Sequence, residues 1–325
     1  MTINCYQQLA QALETGTVVL ATAIAIKGSV PREVGAKMII CADGHTYNTI
    51  GGGAGEAKVI RQAMTVLETG EKQLIEIDLT GALQRQTEGI CGGIMQIWLE
   101  RWSGRDAIAL VNQILNLLQS GQTVTLITPF ALEKSPYLLL ENTANIANEE
   151  SFIEVLQPPP TLLIVGAGHV GEQLAKVART IGFQVIIQDD RSQWANRERY
   201  PQATAIFNSA IASVVAELAT HTQLYAALVT RGFQYDLEAL KVLLNREPAC
   251  KYIGTIGSEK RVRQVIQALE TDDIDLSKLR SLYAPIGLDI GALTPEEIAV
   301  SICAELILVR RGGTSRPLSE RNRTT

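Results

Sequence analysis

Three glycines carry the first chemical signal of the chain. Gly166, Gly168 and Gly171 stand as G-x-G-x-x-G, directly after the apolar run Leu162–Val165 and directly before an apolar-periodic stretch. Between a strand and a helix, each has a task. Gly166 permits the tight turn, Gly168 lets the backbone approach a pyrophosphate, and Gly171 allows the helix to pack closely on the strand. The N–H groups at the helix start, those of His169 and Val170 among them, then face the anion. The His169 side chain either contacts that ligand or is a structural histidine at a helix start. Asp189 follows Gly166 by 23 residues, the spacing of a ribose-binding carboxylate. Such a carboxylate repels a 2′-phosphate, so NAD or another unphosphorylated ribose fits better than NADP. Arg191 complicates this, because a nearby arginine accepts a phosphate. The alternative is a Rossmann fold that no longer binds a dinucleotide.

Three places in the first half also have chemical potential. Ile50 to Glu56 reads IGGGAGE. Gly51, Gly52 and Gly53 before a helix can form a nest of backbone N–H groups, with the helix N-terminus adding positive potential and Glu56 in its first turn. This is either a second anion site or a tight turn between packed elements. Cys91 lies beside Gly92 and Gly93. It is either a reactive or sulfur-carrying thiol or a small buried apolar residue. The loop KGSVPREVG, Lys27 to Gly35, presents Arg32 near Ser29. It is either a clamp for an anionic ligand or a solvated loop.

The elements that must position these residues can be read from periodicity. After Thr161 the apolar runs TLLIV, FQVIIQDD, ATAIF, LYAALVT and YIGTIG alternate with helical stretches, which implies parallel strands with right-handed crossovers. The fold class is therefore α/β: a C-terminal Rossmann-type doubly wound parallel sheet. The smaller N-terminal domain is strand-rich α+β, with strands at Thr17 to Ile26, AKMIICADG, LIEIDL, IMQIWL and Thr123 to Thr128, and helices at Glu56 to Thr69 and Asp106 to Gln119. Residues 1–140 form the first domain. A Pro-rich connector spans 141–160 and ends in Pro158-Pro159-Pro160, the Rossmann domain spans 161–312, and 313–325 is a flexible tail.

Composition narrows the function classes. The chain has 325 residues, 46% of them apolar, and a formal net charge of −5. Two cores fit that length, and bulk charge gives no support to nucleic-acid binding. Neither a signal peptide nor a membrane-spanning run is expected. The five cysteines are widely spaced without a C-x-x-C pair. A structural metal site is not expected, and reduced thiols in a cytosolic protein are.

Taken in order, GSVPREVGAKMII, IGGGAGE, EGICGGIMQIWLE, LLIVGAGHVG, TRGFQYD, YIGTIGS and APIGLDIGALTPEEIAVSICAELILVRRG resemble the XdhC/CoxI family, over about Thr17 to Gly312. The resemblance implies a cytoplasmic accessory protein, a chaperone that binds molybdenum cofactor (molybdopterin) and matures xanthine dehydrogenase-type hydroxylases. It further implies a homodimer, and as partners a molybdenum hydroxylase apoenzyme and a sulfurtransferase. Two positions depart from the family pattern: Ala54 replaces a cysteine, and Phe233 replaces a histidine in TRGFQYD, where Arg231 and Asp236 are kept. These departures favour binding over catalysis and leave Cys91 as the candidate catalytic thiol. The alternatives from other classes are an NAD-dependent oxidoreductase and a nucleotide-sensing regulatory protein.

Overall fold

The structure, a computed structural model, describes residues 2–79, 92–139, 150–271 and 274–320. The chain divides into two compact units, with the boundary between Gln157 and Pro158 and the short stretch Ser120–Gln122 grouped with the second.

In the first unit the elements run α1 (Thr2–Thr15), β1 (Val18–Lys27), β2 (Lys37–Cys41), β3 (Thr46–Asn48), α2 (Gly53–Thr69), β4 (Gln73–Asp78), β5 (Ile94–Trp102), α3 (Gly104–Gln119), β6 (Val124–Pro129), β7 (Tyr137–Leu139) and β8 (Ser151–Leu156). One antiparallel sheet has the order β3-β2-β1-β5-β4, and a second has β7-β6-β8. Strand β1 shows why the larger sheet is covered on both faces. Its Val19, Ala21 and Ala23 pack with Val59, Ala63 and Val66 of α2. Its Val18 and Leu20 pack with Leu9 and Leu13 of α1 and with Val111 and Ile114 of α3. Alternate residues of one strand thus feed two cores.

Part of the stretch expected as connector is strand. Phe152, Ile153, Val155 and Leu156 have the branched and aromatic side chains that suit a pleated surface, and β8 pairs antiparallel with β6 from Val124↔Leu156 to Pro129↔Ser151. The acidic, asparagine-rich residues just before it hid this short strand. The helix α1 also went unread, because its apolar face (Tyr6, Leu9, Leu13) is interleaved with glutamines.

The second unit is the doubly wound parallel sheet. Its elements are β9 (Thr161–Val165), α4 (His169–Thr180), β10 (Gln184–Gln188), β11 (Ala205–Phe207), α5 (Ile211–Glu217), β12 (Leu224–Leu228), α6 (Phe233–Leu244), β13 (Tyr252–Thr255), α7 (Glu259–Glu270), α8 (Leu276–Arg280) and α9 (Pro295–Arg311). The strand order is β11-β10-β9-β12-β13, parallel throughout. Leu162 and Ile164 face the core shared with α4 and α9, whereas Leu163 and Val165 face the core of α5, α6 and α7. Full burial of each such side chain stabilises by about 1.5–3 kcal/mol. The chain leaves β9 toward one side of the sheet, and after β11 returns to place β12 on the other side of β9. The order reverses between β9 and β12, which puts the ligand crevice of this architecture at their carboxyl ends.

Candidate functional site

A cleft of about 290 Å³ lies at that crevice. Its floor is the end of β9 and β10 (Val165, Gly166, Asp189), and Ala210, Ile211 and Ala239 give it apolar walls. Arg231, Tyr235 and Glu238 bring polarity from the end of β12 and from α6. Of the residues singled out in the second half, Gly166, Asp189 and Arg231 line this cleft, whereas Gly168, His169, Val170 and Gly171 belong to the turn and first turn of α4 and do not line it.

The fingerprint turn is built as its glycines require. Gly166 has φ +109°, and a Cβ there would lie 2.6 Å from the Val229 carbonyl oxygen. At Gly171 a Cβ would lie 2.3 Å from the Gly166 carbonyl oxygen, so α4 rests directly on the turn. Gly168 is different: a Cβ there would meet nothing within 4 Å. The close approach that Gly168 allows is toward open space. Gly168 is also the N-cap of α4, and no side chain caps the helix. The amides of the first turn, including those of His169 and Val170, lack intrahelical partners by geometry and point that way.

Asp189 is buried at 6% exposure, yet it is fully engaged. Its Oδ1 accepts from the Arg191 backbone N–H (3.0 Å) and Nε (2.8 Å). Its Oδ2 accepts from the Ala167 N–H (2.8 Å) and Arg191 Nη2 (2.7 Å). Burial by itself would raise this carboxyl. The Arg191 guanidinium and the two amides outweigh it and hold the group well below the usual carboxylate range. Arg231 Nη1 stands 4.0 Å from Asp189, while its Nη2 donates to Asp190 at 3.0 Å and to the Tyr235 hydroxyl. The Arg231 guanidinium also lies over the Tyr235 ring, 4.3 Å from the centroid.

His169 is exposed and meets Trp194 edge-on, with ring centroids 5.7 Å apart. Trp194 carries Arg191 and Arg199 at 5.1 and 4.3 Å from its ring centroid. Arg199 pairs with Glu172 at 2.7 Å, and hydrogen bonds from Arg199 and then Lys176 hold the Glu172 carboxyl below its ordinary range. Sequence reasoning missed Trp194, Arg199, Tyr235 and Glu238. The aromatic and basic residues within about ten positions of Asp189 were the available signal.

The other half of TRGFQYD is structural. Asp236 is buried at the start of α6, accepts from Thr230 Oγ1 at 2.6 Å and pairs with Arg261 of α7 at 2.5 Å. Burial pushes its carboxyl up against these partners. Asp289 is exposed and does not line the cleft, and the segment around it is tied down from α9. Ser301 Oγ donates to the Leu288 carbonyl at 2.6 Å, and the Gly287 N–H donates to Glu305 at 2.9 Å.

In the first unit, three of the regions noted from sequence adjoin one another. Helix α2 begins at Gly53, earlier than the expected Glu56, so the glycine cluster is partly helix. Gly51, Gly52 and Gly53 have φ of +145°, +83° and +70°. A Cβ on Gly51 would lie 2.5 Å from Pro31 Cγ, so the loop that carries Arg32 closes against the cluster. A Cβ on Gly93 would lie 2.5 Å from the Ser29 carbonyl oxygen and 2.6 Å from that of Lys27. Glu56 accepts from the Ile50 N–H at 3.3 Å, and Arg32 is exposed. Ala54 is half-buried in the first turn of α2. Cys91 lies outside the described residues. Among the described residues Cys5, Cys41, Cys250 and Cys303 are free, no group of three or more His, Cys, Asp or Glu side chains could hold a metal, and no helix is long and apolar enough to cross a membrane.

Residues 162–306 match the family described as the XdhC Rossmann domain, and residues 12–78 match the XdhC and CoxI family. A probable xanthine dehydrogenase subunit of Bacillus subtilis (strain 168) is 26% identical over 90% of this chain and 93% of its own length. The molybdenum cofactor insertion chaperone PaoD of Escherichia coli K12 is 24% identical over 92% of this chain and 86% of its own. A crystal structure described as a xanthine dehydrogenase from Bacillus halodurans superposes with a TM-score of 0.75 and 26% identity, over 98% of this chain and 99% of that one.

Proposed function

The chain belongs to the XdhC and CoxI family, and from that premise we propose that it binds molybdenum cofactor as cargo and serves the maturation of a xanthine dehydrogenase-type molybdenum hydroxylase. The observation that carries the reading is the uncapped start of α4 at the sheet's carboxyl edge, where Gly168 leaves open space beside a cleft of about 290 Å³. A pterin with a terminal phosphate matches such a place. The amides of Gly168, His169 and Val170 receive the phosphate, and the apolar walls at Val165, Ala210 and Ile211 exclude water from a flat ring. The Gly51–Gly53 turn with Arg32 is a second place in this chain for an anionic or ring-bearing part of the cargo. Cys91 is the candidate thiol for sulfur handling, since Ala54 has none. The partners in this reading are the hydroxylase apoenzyme and a sulfurtransferase, met in the cytoplasm by a homodimer of this chain. The names of the Bacillus subtilis and Escherichia coli relatives support it. Nucleotide-dependent oxidoreductase activity with NAD is the second reading, favoured by the position of the cleft alone.

The test is the ligand found on freshly purified full-length protein from cells that make molybdenum cofactor. Pterin fluorescence after oxidation and mass spectrometry should find near-stoichiometric pterin, reduced at least tenfold in Gly168→Val. Protein free of pterin and carrying an adenine dinucleotide would sink the proposal. Thiol labelling of the native protein examines Cys91 separately. Burial pushes the thiols of Cys5 and Cys250 up to about 11 and that of Cys303 up to about 12, and burial followed by the Asp43 charge raises Cys41 as well, so these four are poor nucleophiles at neutral pH. A fast-reacting thiol should therefore be abolished by Cys91→Ala. If the fast phase survives that change, Cys91 is not the accessible nucleophile.

A further inference from the structure

The carboxylate at the end of β10 is the element that reads a ribose diol in dinucleotide-binding sheets. A carboxylate has two oxygens with two lone pairs each. In Asp189 all four are taken: two by backbone N–H groups and two by the Nε and Nη2 of Arg191. A diol could bind here only by displacing a bidentate arginine, and that arginine is held in place a second time over the Trp194 ring. Charge-assisted bidentate pairs are among the stronger hydrogen bonds available to a protein.

The same arrangement offers something else. A guanidinium has five N–H bonds, and two go to Asp189, so three remain; none of them has a partner among the described residues. Arg191 neutralises Asp189 where that carboxylate would repel an anion. Arg231 adds a second guanidinium with Nη1 at 4.0 Å from Asp189, on the cleft wall. Arg231 lines the cleft, held by Asp190, and Arg191 stands beside it on Asp189, so two guanidinium groups flank the buried carboxylate, which is already paired; Asp190 and Glu238 are the other charged groups on the cleft wall.

We propose that Arg191 is a specificity-determining residue that converts this position from diol-reading to phosphate-reading, so that the cleft takes nucleotides bearing a phosphate monoester on the ribose in preference to their unphosphorylated counterparts. This is a binding activity separate from cargo handling, and it does not require the cargo to be molybdenum cofactor. Arg191 supplies the fork that a phosphate monoester accepts, and Arg231 supplies a second charge. With no pterin bound, the first-turn amides of α4 are available for a pyrophosphate.

The experiment is calorimetric titration of the full chain, stripped of any copurified ligand, with NADP⁺, NAD⁺, 3′-phosphoadenosine 5′-phosphate and AMP at fixed salt. NADP⁺ should bind at least tenfold more tightly than NAD⁺ if the 2′-position is read. The 3′-phosphorylated nucleotide should exceed AMP by the same factor if the 3′-position is read. At least one of the two ratios must appear. Arg191→Ala should collapse that ratio to near one, and Arg191→Lys, which keeps the charge and the fold but loses the fork, should reduce it severalfold. Both ratios near one in the wild-type chain would overturn the proposal, as would tighter NAD⁺ binding, no nucleotide binding at all, or a ratio unchanged in folded Arg191→Lys. The pterin measurement is made on a different sample, so either reading can fail alone.

Discussion

Helices α4 and α9 pack together on one face of the same sheet, yet they begin in opposite ways. Helix α9 closes its own N-terminus. Thr294 accepts from the Glu297 N–H, the Glu297 carboxylate accepts from the Thr294 N–H, and Pro295 opens the helix, so the first turn is internally satisfied. Helix α4 has glycine as its N-cap and no side-chain bond there. The same contrast extends across the unit. Helices α5 and α6 start from Ala210 and Gly232 at the cleft edge without side-chain caps, whereas α7 and α8 are capped by Ser258 and Asp275. Capping is worth about 1 kcal/mol. The helices that start at the crevice have no side-chain cap, and under the proposed function the free amides of α4 are the ones that take an anion.

The sharpest way to break this contrast is to add one methyl group at either of two neighbouring glycines. In Gly171→Ala the new Cβ meets the Gly166 carbonyl oxygen at 2.3 Å, which is backbone and cannot turn aside. We expect a loss of about 3 kcal/mol or more, as for severe overpacking, together with loss of pterin retention. In Gly168→Ala the Cβ enters open space at an ordinary φ of −75°. Stability should fall by no more than about 1 kcal/mol, the difference between glycine and alanine at an N-cap, while bound pterin falls. Denaturant unfolding and pterin content of the two variants decide it. Equal stability for both would mean that α4 does not rest on the turn.

Asp189 comes next. Its folded-state pKa is depressed, so the stability it contributes is fully present above its unfolded value of about 3.9 and is lost as pH falls through the folded value. Asp189→Asn should cost about 2–3 kcal/mol at pH 7, because it removes the charge that Arg191 faces. It should also flatten the decline in stability below pH 4. Unfolding curves at pH 7, 4 and 3 test both parts. An unchanged acid slope would show that Asp189 is not the group being protonated.

At the other helix, Thr294→Ala should cost about 1 kcal/mol, with no change in ligand content. A fall in bound pterin in that variant would mean that the loop before α9 belongs to the binding machinery.

The parallel sheet was legible because its signals are local. Five apolar runs of β type and a glycine fingerprint each say where an element begins or ends, and all of those strands are present. The site was legible only where chemistry and spacing coincide, at Gly166, Gly168, Gly171 and Asp189. That Tyr235 and Glu238 would line the cleft depends on how β10, β12 and α6 meet, which no spacing encodes. In the first unit β3 and β7, of three residues each, went unread because they are short and defined by their partners, and β8 was hidden by the polar residues before it. Gly51 looked like part of a nest; its positive φ also serves the contact with Pro31, a long-range fact.

The smallest effect sharpens the comparison most directly, because it turns the start of α4 into that of α9. Gly168→Ser adds a hydroxyl able to accept from a first-turn amide, as Thr294 does. Glycine is only a few tenths of a kcal/mol worse than serine at an N-cap, so unliganded stability should rise by about that amount. The serine oxygen would then occupy an amide that a phosphate needs, and would stand in the space that Gly168 leaves open. Retained pterin should fall even though the protein is marginally more stable. Stability and binding moving in opposite directions in one variant is the signature of a cap withheld for a ligand. If both rise together, the open N-terminus of α4 is not where the anion sits.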